Sequence, residues 1–159
     1  MNLGIDFHLY KSLNNFAVKE YAIFELNPFN RQISLLEHNV VLPEAQESPE
    51  EYAKDGLVNI PWPAGSIERE NMIANVNCYL KVSSCIFVRD DSIKNFILNL
   101  FDVNLEFTKI TSLSDLGYIE IFPKGDACEY HDTKDSNCVV VNAKNMLTWY
   151  IEYFSILLI

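Results

Sequence analysis

Hydrophobic positions are dense but unevenly patterned along the chain. Phe16 to Leu26 concentrates Phe, Val, Tyr and Ile, a β-branched and aromatic content that predicts a strand. Asn27-Pro28-Phe29-Asn30 predicts a turn, because Pro28 fixes φ and the asparagines favour turn geometry. Ile33 to Leu42 supplies a second apolar piece that ends at Pro43, so an N-terminal antiparallel pair is expected. From Val76, Cys78, Leu80 and Val82 alternate with Asn77, Tyr79, Lys81 and Ser83, which predicts a half-buried strand. Cys85-Ile86-Phe87-Val88 predicts a short central strand.

The period then changes. Asp90, Asp91 and Ser92 offer N-caps and a negative first turn. Ile93, Phe96, Ile97, Leu100 and Phe101 follow at helical spacing, which predicts an amphipathic helix with these five facing the core. Asp102 to Thr108 returns to alternation. Leu116 to Phe122 and Cys138 to Val141 also read as strands, with a turn at Pro123 to Asp126. Met146, Trp149, Tyr150, Tyr153 and Ile156 make a stripe that favours a helix within Asn142 to Ile159. The order of elements predicts an α+β fold: a mostly antiparallel sheet with one or two packed helices. The 159 residues fit a single domain over 1–159.

One compositional shift stands out. Residues 43–56 form an acidic loop carrying Glu44, Glu47, Glu50, Glu51 and Asp55 against Lys54 alone. Ser48-Pro49 could begin a helical turn there. Trp62 follows between Pro61 and Pro63, where the residues preceding each proline are pushed out of the α region. The whole chain holds 12 basic and 22 acidic residues, a formal charge of −10. That sign disfavours nucleic acid or an anionic membrane as partner, since both would be repelled. The acidic loop suits electrostatic steering towards a basic partner, with Trp62 as an aromatic anchor beside it. The expected partner-binding set is therefore Glu44, Glu47, Glu50, Glu51, Asp55 and Trp62. The plainer alternative is a solvated charge run.

The N-terminus has no basic region before its apolar residues, and Asp6 interrupts them, so no secretory signal is expected. A cytoplasmic location and reduced Cys78, Cys85, Cys128 and Cys138 follow as expectations. The apolar stretch from Met146 to Ile159 contains Glu152 and is shorter than the ~20 residues of a spanning helix. It is expected in the core or docked on a neighbour.

Catalytic motifs are absent from the sequence: no glycine-rich phosphate loop, no Gly-x-Ser-x-Gly and no His-Glu-x-x-His. Cys128, His131 and Cys138 are the one cluster of metal-ligand types. A structural zinc site takes four ligands, and this spacing delivers three, with Asp132 or Asp135 as candidate fourths. No metal and no cofactor are therefore expected. Cys128, His131 and Asp135 have the residue types of a thiolate nucleophile and base, without a recognised surrounding signature. Asp6 and His8 would share one face of a strand, and His38 beside Glu37 is unremarkable.

The run from Ile86 to Phe107, IFVRDDSIKNFILNLFDVNLEF, resembles a strand–helix–strand segment of bacterial immunity proteins from polymorphic toxin systems. The resemblance rests on a capped strand end, a short amphipathic helix and a leucine-acid-phenylalanine strand. It implies a non-enzymatic inhibitor that neutralises a cognate protein toxin, and it carries over no binding residue. The alternatives are a small enzyme or metal protein centred on Cys128 and His131, or a structural subunit docking through its apolar C-terminus.

Overall fold

The computed structural model describes residues 1–12, 15–47, 60–119, 127–132 and 137–153. Its centre is a mixed five-stranded sheet of order β3-β2-β1-β4-β5. Strands β1 (Asn2–Ser12), β2 (Asn15–Leu26) and β3 (Ile33–Val40) form an antiparallel meander. Strands β4 (Cys85–Val88) and β5 (Lys109–Ser112) add parallel to β1. The antiparallel part holds the long strands, and the two parallel additions are four residues each. The fold is α+β, as expected, with three α-helices among the described residues rather than one or two: α1 (Arg69–Lys81), α2 (Asp91–Leu100) and α3 (Val139–Tyr153). No helix among the described residues is long and apolar enough to cross a membrane.

Both faces of the sheet are covered, and the pleat explains how. Leu3, Ile5 and Phe7 of β1 point to one face, while Gly4, Asp6 and His8 point to the other. The first set joins Tyr21 and Ile23 beneath α1 and α2, whose Met72, Val76, Leu80, Ile93 and Ile97 are fully buried or nearly so. On the second face α3 lays Val139, Ala143, Met146 and Leu147 on Ala22, Phe24, Leu26 and Phe87. Gly4 allows this approach. A Cβ there would come within 2.4–2.6 Å of the Leu147 side chain.

Several sequence expectations change here. Val76 to Ser83 is largely helix. Met72, Val76 and Leu80 recur every four residues and are buried, whereas Cys78 and Val82, which completed the alternation, are exposed. Cys138 precedes α3 and Val139 to Val141 open it instead of forming a strand, because Val139, Ala143, Met146 and Leu147 together make a helical stripe for the sheet. Asp102 to Thr108 is a turn region with Leu105 and Phe107 exposed. The strand that completes the sheet is β5, just after it. The amphipathic helix forms as predicted. Asp90 caps it by accepting from the Ile93 N–H at 3.2 Å, and Ile93, Ile97 and Phe101 are buried. Leu100 is exposed and Phe96 partly so. Residues 117–119 carry no strand, and 120–126 lie outside the described residues.

Candidate metal centre

A row of polar side chains crosses the second face of the antiparallel meander. His8 lies directly opposite Glu20 in the β1–β2 register. On the other side Glu20 pairs with Val40, which leaves His38, opposite Ala22, on the same face. Glu20 thus sits between two imidazoles supplied by its flanking strands. His8 Nδ1 lies 3.2 Å from Glu20 Oε1, and His38 Nε2 lies 2.8 Å from Oε2. Glu20 has no exposed surface at all.

The third layer closes over this carboxylate. Segment 127–132 and the start of α3 bring three more groups to it. Cys128 Sγ is 3.1 Å from Glu20 Oε2. His131 Nε2 is 3.1 Å from Oε1 and 3.2 Å from Oε2. The Val139 N–H, in the first turn of α3, donates to Oε1 at 3.3 Å. A helix N-terminus favours negative charge, so α3 is well placed to face a carboxylate. Cys138, the residue before α3, accepts from the Cys128 N–H at its sulfur, at 3.4 Å, and is buried. A tight turn, His131 N–H to Cys128 carbonyl at 3.2 Å, puts Cys128 and His131 on one side of the loop.

The ligand-type atoms of Glu20, Cys128, His131 and Cys138 all lie within 4.8 Å of one another. A tetrahedral zinc ion with bonds of about 2.0–2.3 Å places its ligand atoms about 3.3–3.8 Å apart. The carboxylate contacts of 3.1–3.2 Å are already near that spacing. The expectation of no metal rested on spacing that delivered only three ligands. Among the described residues Asp132 is not a member of this group, and Asp135 lies outside the described residues. The fourth member is Glu20, on a strand 108 residues before Cys128.

The electrostatics match a cation. Burial pushes the Glu20 carboxyl up, but hydrogen bonds from His131 and His38 and the nearby His8 ring outweigh it and hold the group below the usual carboxylate range. Between the thiols, the bond from Cys128 holds Cys138 down, to about 4, with His131 adding to the effect. The same bond, together with burial and the Glu20 charge, pushes Cys128 up. The Glu20 carboxylate is thus buried against two sulfurs and an imidazole, a donor set that a divalent ion fits. Thiolate with imidazole is also the donor combination that selects zinc over magnesium or calcium.

The other expected site residues are distributed differently. Glu47 is not a solvated acid. It is buried, hydrogen-bonded to the Tyr10 hydroxyl, and 2.6 Å from Arg69 Nη2. Glu44 is partly exposed and pairs with Arg69 Nη1 at 3.2 Å. Trp62 packs edge-on against Tyr10, with ring centroids 5.3 Å apart, in a small cluster with Ile60 and Ala17. It therefore forms part of the fold beside the Arg69 network. Glu50, Glu51 and Asp55 lie outside the described residues. Asp6 and His8 share a face as expected but part company: Asp6 pairs with Arg89 at 3.1 Å, while His8 turns to Glu20. Neither His38 nor Glu20 was singled out from the sequence, since nothing local marks either. The signal available was an acid at an inward-facing position of a largely apolar strand. Compared with models of known protein families and with curated proteins, the chain matches neither.

Proposed function

We propose that this chain is a metal-binding module in which Glu20, Cys128, His131 and Cys138 hold one zinc ion. The ion fastens segment 127–138 and the start of α3 to the sheet. The observation that carries this reading is the convergence of four ligand atoms within 4.8 Å around a fully buried carboxylate. Four protein ligands fill a tetrahedral ion and leave no position for substrate or water, so the role is structural and non-enzymatic. His8 and His38 act behind the ligands by fixing the orientation of Glu20, as groups outside the coordination sphere commonly do. Elemental analysis of chain purified under reducing conditions with zinc present tests this. One zinc per chain is expected, lost in Cys128→Ser and Glu20→Ala. A folded wild-type chain that binds no transition metal would overturn the reading.

The net charge of −10 supports a second reading that is compatible with the first: an acidic inhibitor of a cognate protein toxin, of the immunity type. The metal would then brace a scaffold whose surface does the binding. Capture of a basic protein from the native host, with an association rate that falls steeply with salt, is the expected result. Salt-insensitive association would count against it.

A further inference from the structure

The metal reading leaves one property of this centre open: two of its four ligands are sulfur atoms in mutual reach. The Cys128 N–H already points at the Cys138 sulfur, 3.4 Å away, and the two Sγ atoms lie within the 4.8 Å cluster. Both are free thiols. They differ in access. Cys128 is half-buried, whereas Cys138 is 1% exposed. That asymmetry is the layout of a dithiol in which one sulfur meets an oxidant and the other resolves it.

We propose that Cys128 and Cys138 form a peroxide-sensitive pair whose closure to a disulfide expels the metal ion, which makes this centre a redox-controlled clasp. The inference rests on the metal reading for what is released, but not for the closure itself. A hydroperoxide is the co-reactant. The Cys128 thiol gives its proton to solvent as its sulfur attacks one peroxide oxygen, the O–O bond breaks, and a sulfenic acid forms with loss of hydroxide or alkoxide. The Cys138 thiolate then attacks the sulfenic sulfur, an S–S bond forms, and a second hydroxide leaves. Two electrons pass from the two sulfurs to the peroxide, and two protons from solvent neutralise the two oxygen leaving groups. The ion is left with Glu20 and His131 alone, two ligands where zinc requires four, and dissociates. The consequence reaches the fold. Cys138 abuts the first turn of α3, and Cys128 anchors the loop that covers Glu20, so oxidation replaces a clasp onto the sheet with a link between loop and helix only.

Cys78 and Cys85 provide internal comparisons. Cys78 is exposed on α1 and Cys85 sits on β4 against the α3 side of the sheet, and neither belongs to the cluster.

The test uses the wild-type chain loaded with zinc and treated with near-stoichiometric hydrogen peroxide. Released zinc is followed with a chromophoric chelator, and cysteines are mapped by alkylation and peptide mass spectrometry. The expected result is a Cys128–Cys138 cross-linked peptide that appears in step with zinc release, mole for mole. Dithiothreitol should restore both thiols and, with added zinc, rebinding. Zinc retained while only Cys78 is oxidised would overturn the inference and leave the metal reading intact. Cys128 driven to sulfinic acid with Cys138 still alkylatable would overturn it equally. A chain that carries no zinc yet closes the same disulfide would remove the metal reading and keep the redox pair. Loss of the α-helical circular dichroism contributed by α3 on oxidation, reversed by reduction and zinc, is a further expected readout.

Discussion

Lys19 ties two parts of the fold together, because the β-bulge at its position aims its side chain. Between His8/Leu9 and their partners the register steps from Glu20 to Val18, so the β1–β2 ladder steps past Lys19. Its side chain is instead fully buried and donates to three carbonyls: Ala64 at 2.7 Å, Trp62 at 2.8 Å and Val41 at 3.3 Å. Burial lowers its pKa to about 8, which still leaves the ammonium as the main form at neutral pH. Lys19→Met keeps the apolar stem and removes the donors. Two close carbonyls then lose their partner, at about 1–3 kcal/mol for each buried group left unmade. Trp62 and Ala64 are only partly buried, so water recovers some of that loss. The expected net destabilisation is about 2 kcal/mol, placed in the lower half of that range. With a urea dependence of about 2 kcal/mol per molar, the unfolding midpoint falls by about 1 M. In a Trp149→Phe background, fluorescence reports Trp62 alone, and acrylamide quenching of the native state should rise in Lys19→Met as the segment around Trp62 loosens. An unchanged midpoint together with unchanged quenching would refute the assignment of Lys19 as the tie between β2 and residues 60–65.

Other outcomes follow from the same packing. Gly4→Ala should cost about 1–3 kcal/mol by overpacking against Leu147, and in denaturant melts the Gly4→Ala/Leu147→Ala pair should lose less than the two single changes added together. Ile97→Ala, at a site with no exposed surface, should cost about 2–5 kcal/mol; Phe96→Ala should cost less despite its larger ring, because Phe96 is partly exposed, and equal losses in urea would contradict the burial pattern. Burial raises the Glu47 carboxyl, but hydrogen bonds from Tyr10, the Glu44 backbone and Arg69 outweigh it and hold the pKa down. A depressed carboxylate contributes stability above the ordinary glutamate value of 4.5 and loses it as pH falls below that value. Thermal melts of Glu47→Gln should therefore start from a lower midpoint at neutral pH and fall less on acidification than wild type; parallel acid profiles would place Glu47 outside the network.

The sequence by itself determined the elements whose pattern is local. The helix from Asp91 is legible because its cap and its apolar stripe lie within ten residues of each other. Strand β2 is legible from its β-branched and aromatic density, and the turn at Asn27 from its own residues. β1 is legible too, since Leu3, Ile5 and Phe7 alternate cleanly with Gly4, Asp6 and His8. Short apolar runs misled where two periods overlap. Val76 and Leu80 fit both a strand and a helix, and only the pairing of Met72 with them under the sheet decides. The centre was half legible. Cys128, His131 and Cys138 were visible as ligand types, but spacing can count only ligands that are neighbours in sequence. The register of β1, β2 and β3 put Glu20 between His8 and His38, and the packing of α3 brought the cysteine loop down onto it. A carboxylate on an apolar strand carries no mark of its partners until the opposite layer arrives. Only the tertiary structure could turn three scattered ligands into four, and the same closure turned Glu47 and Trp62 from a supposed docking surface into part of the fold.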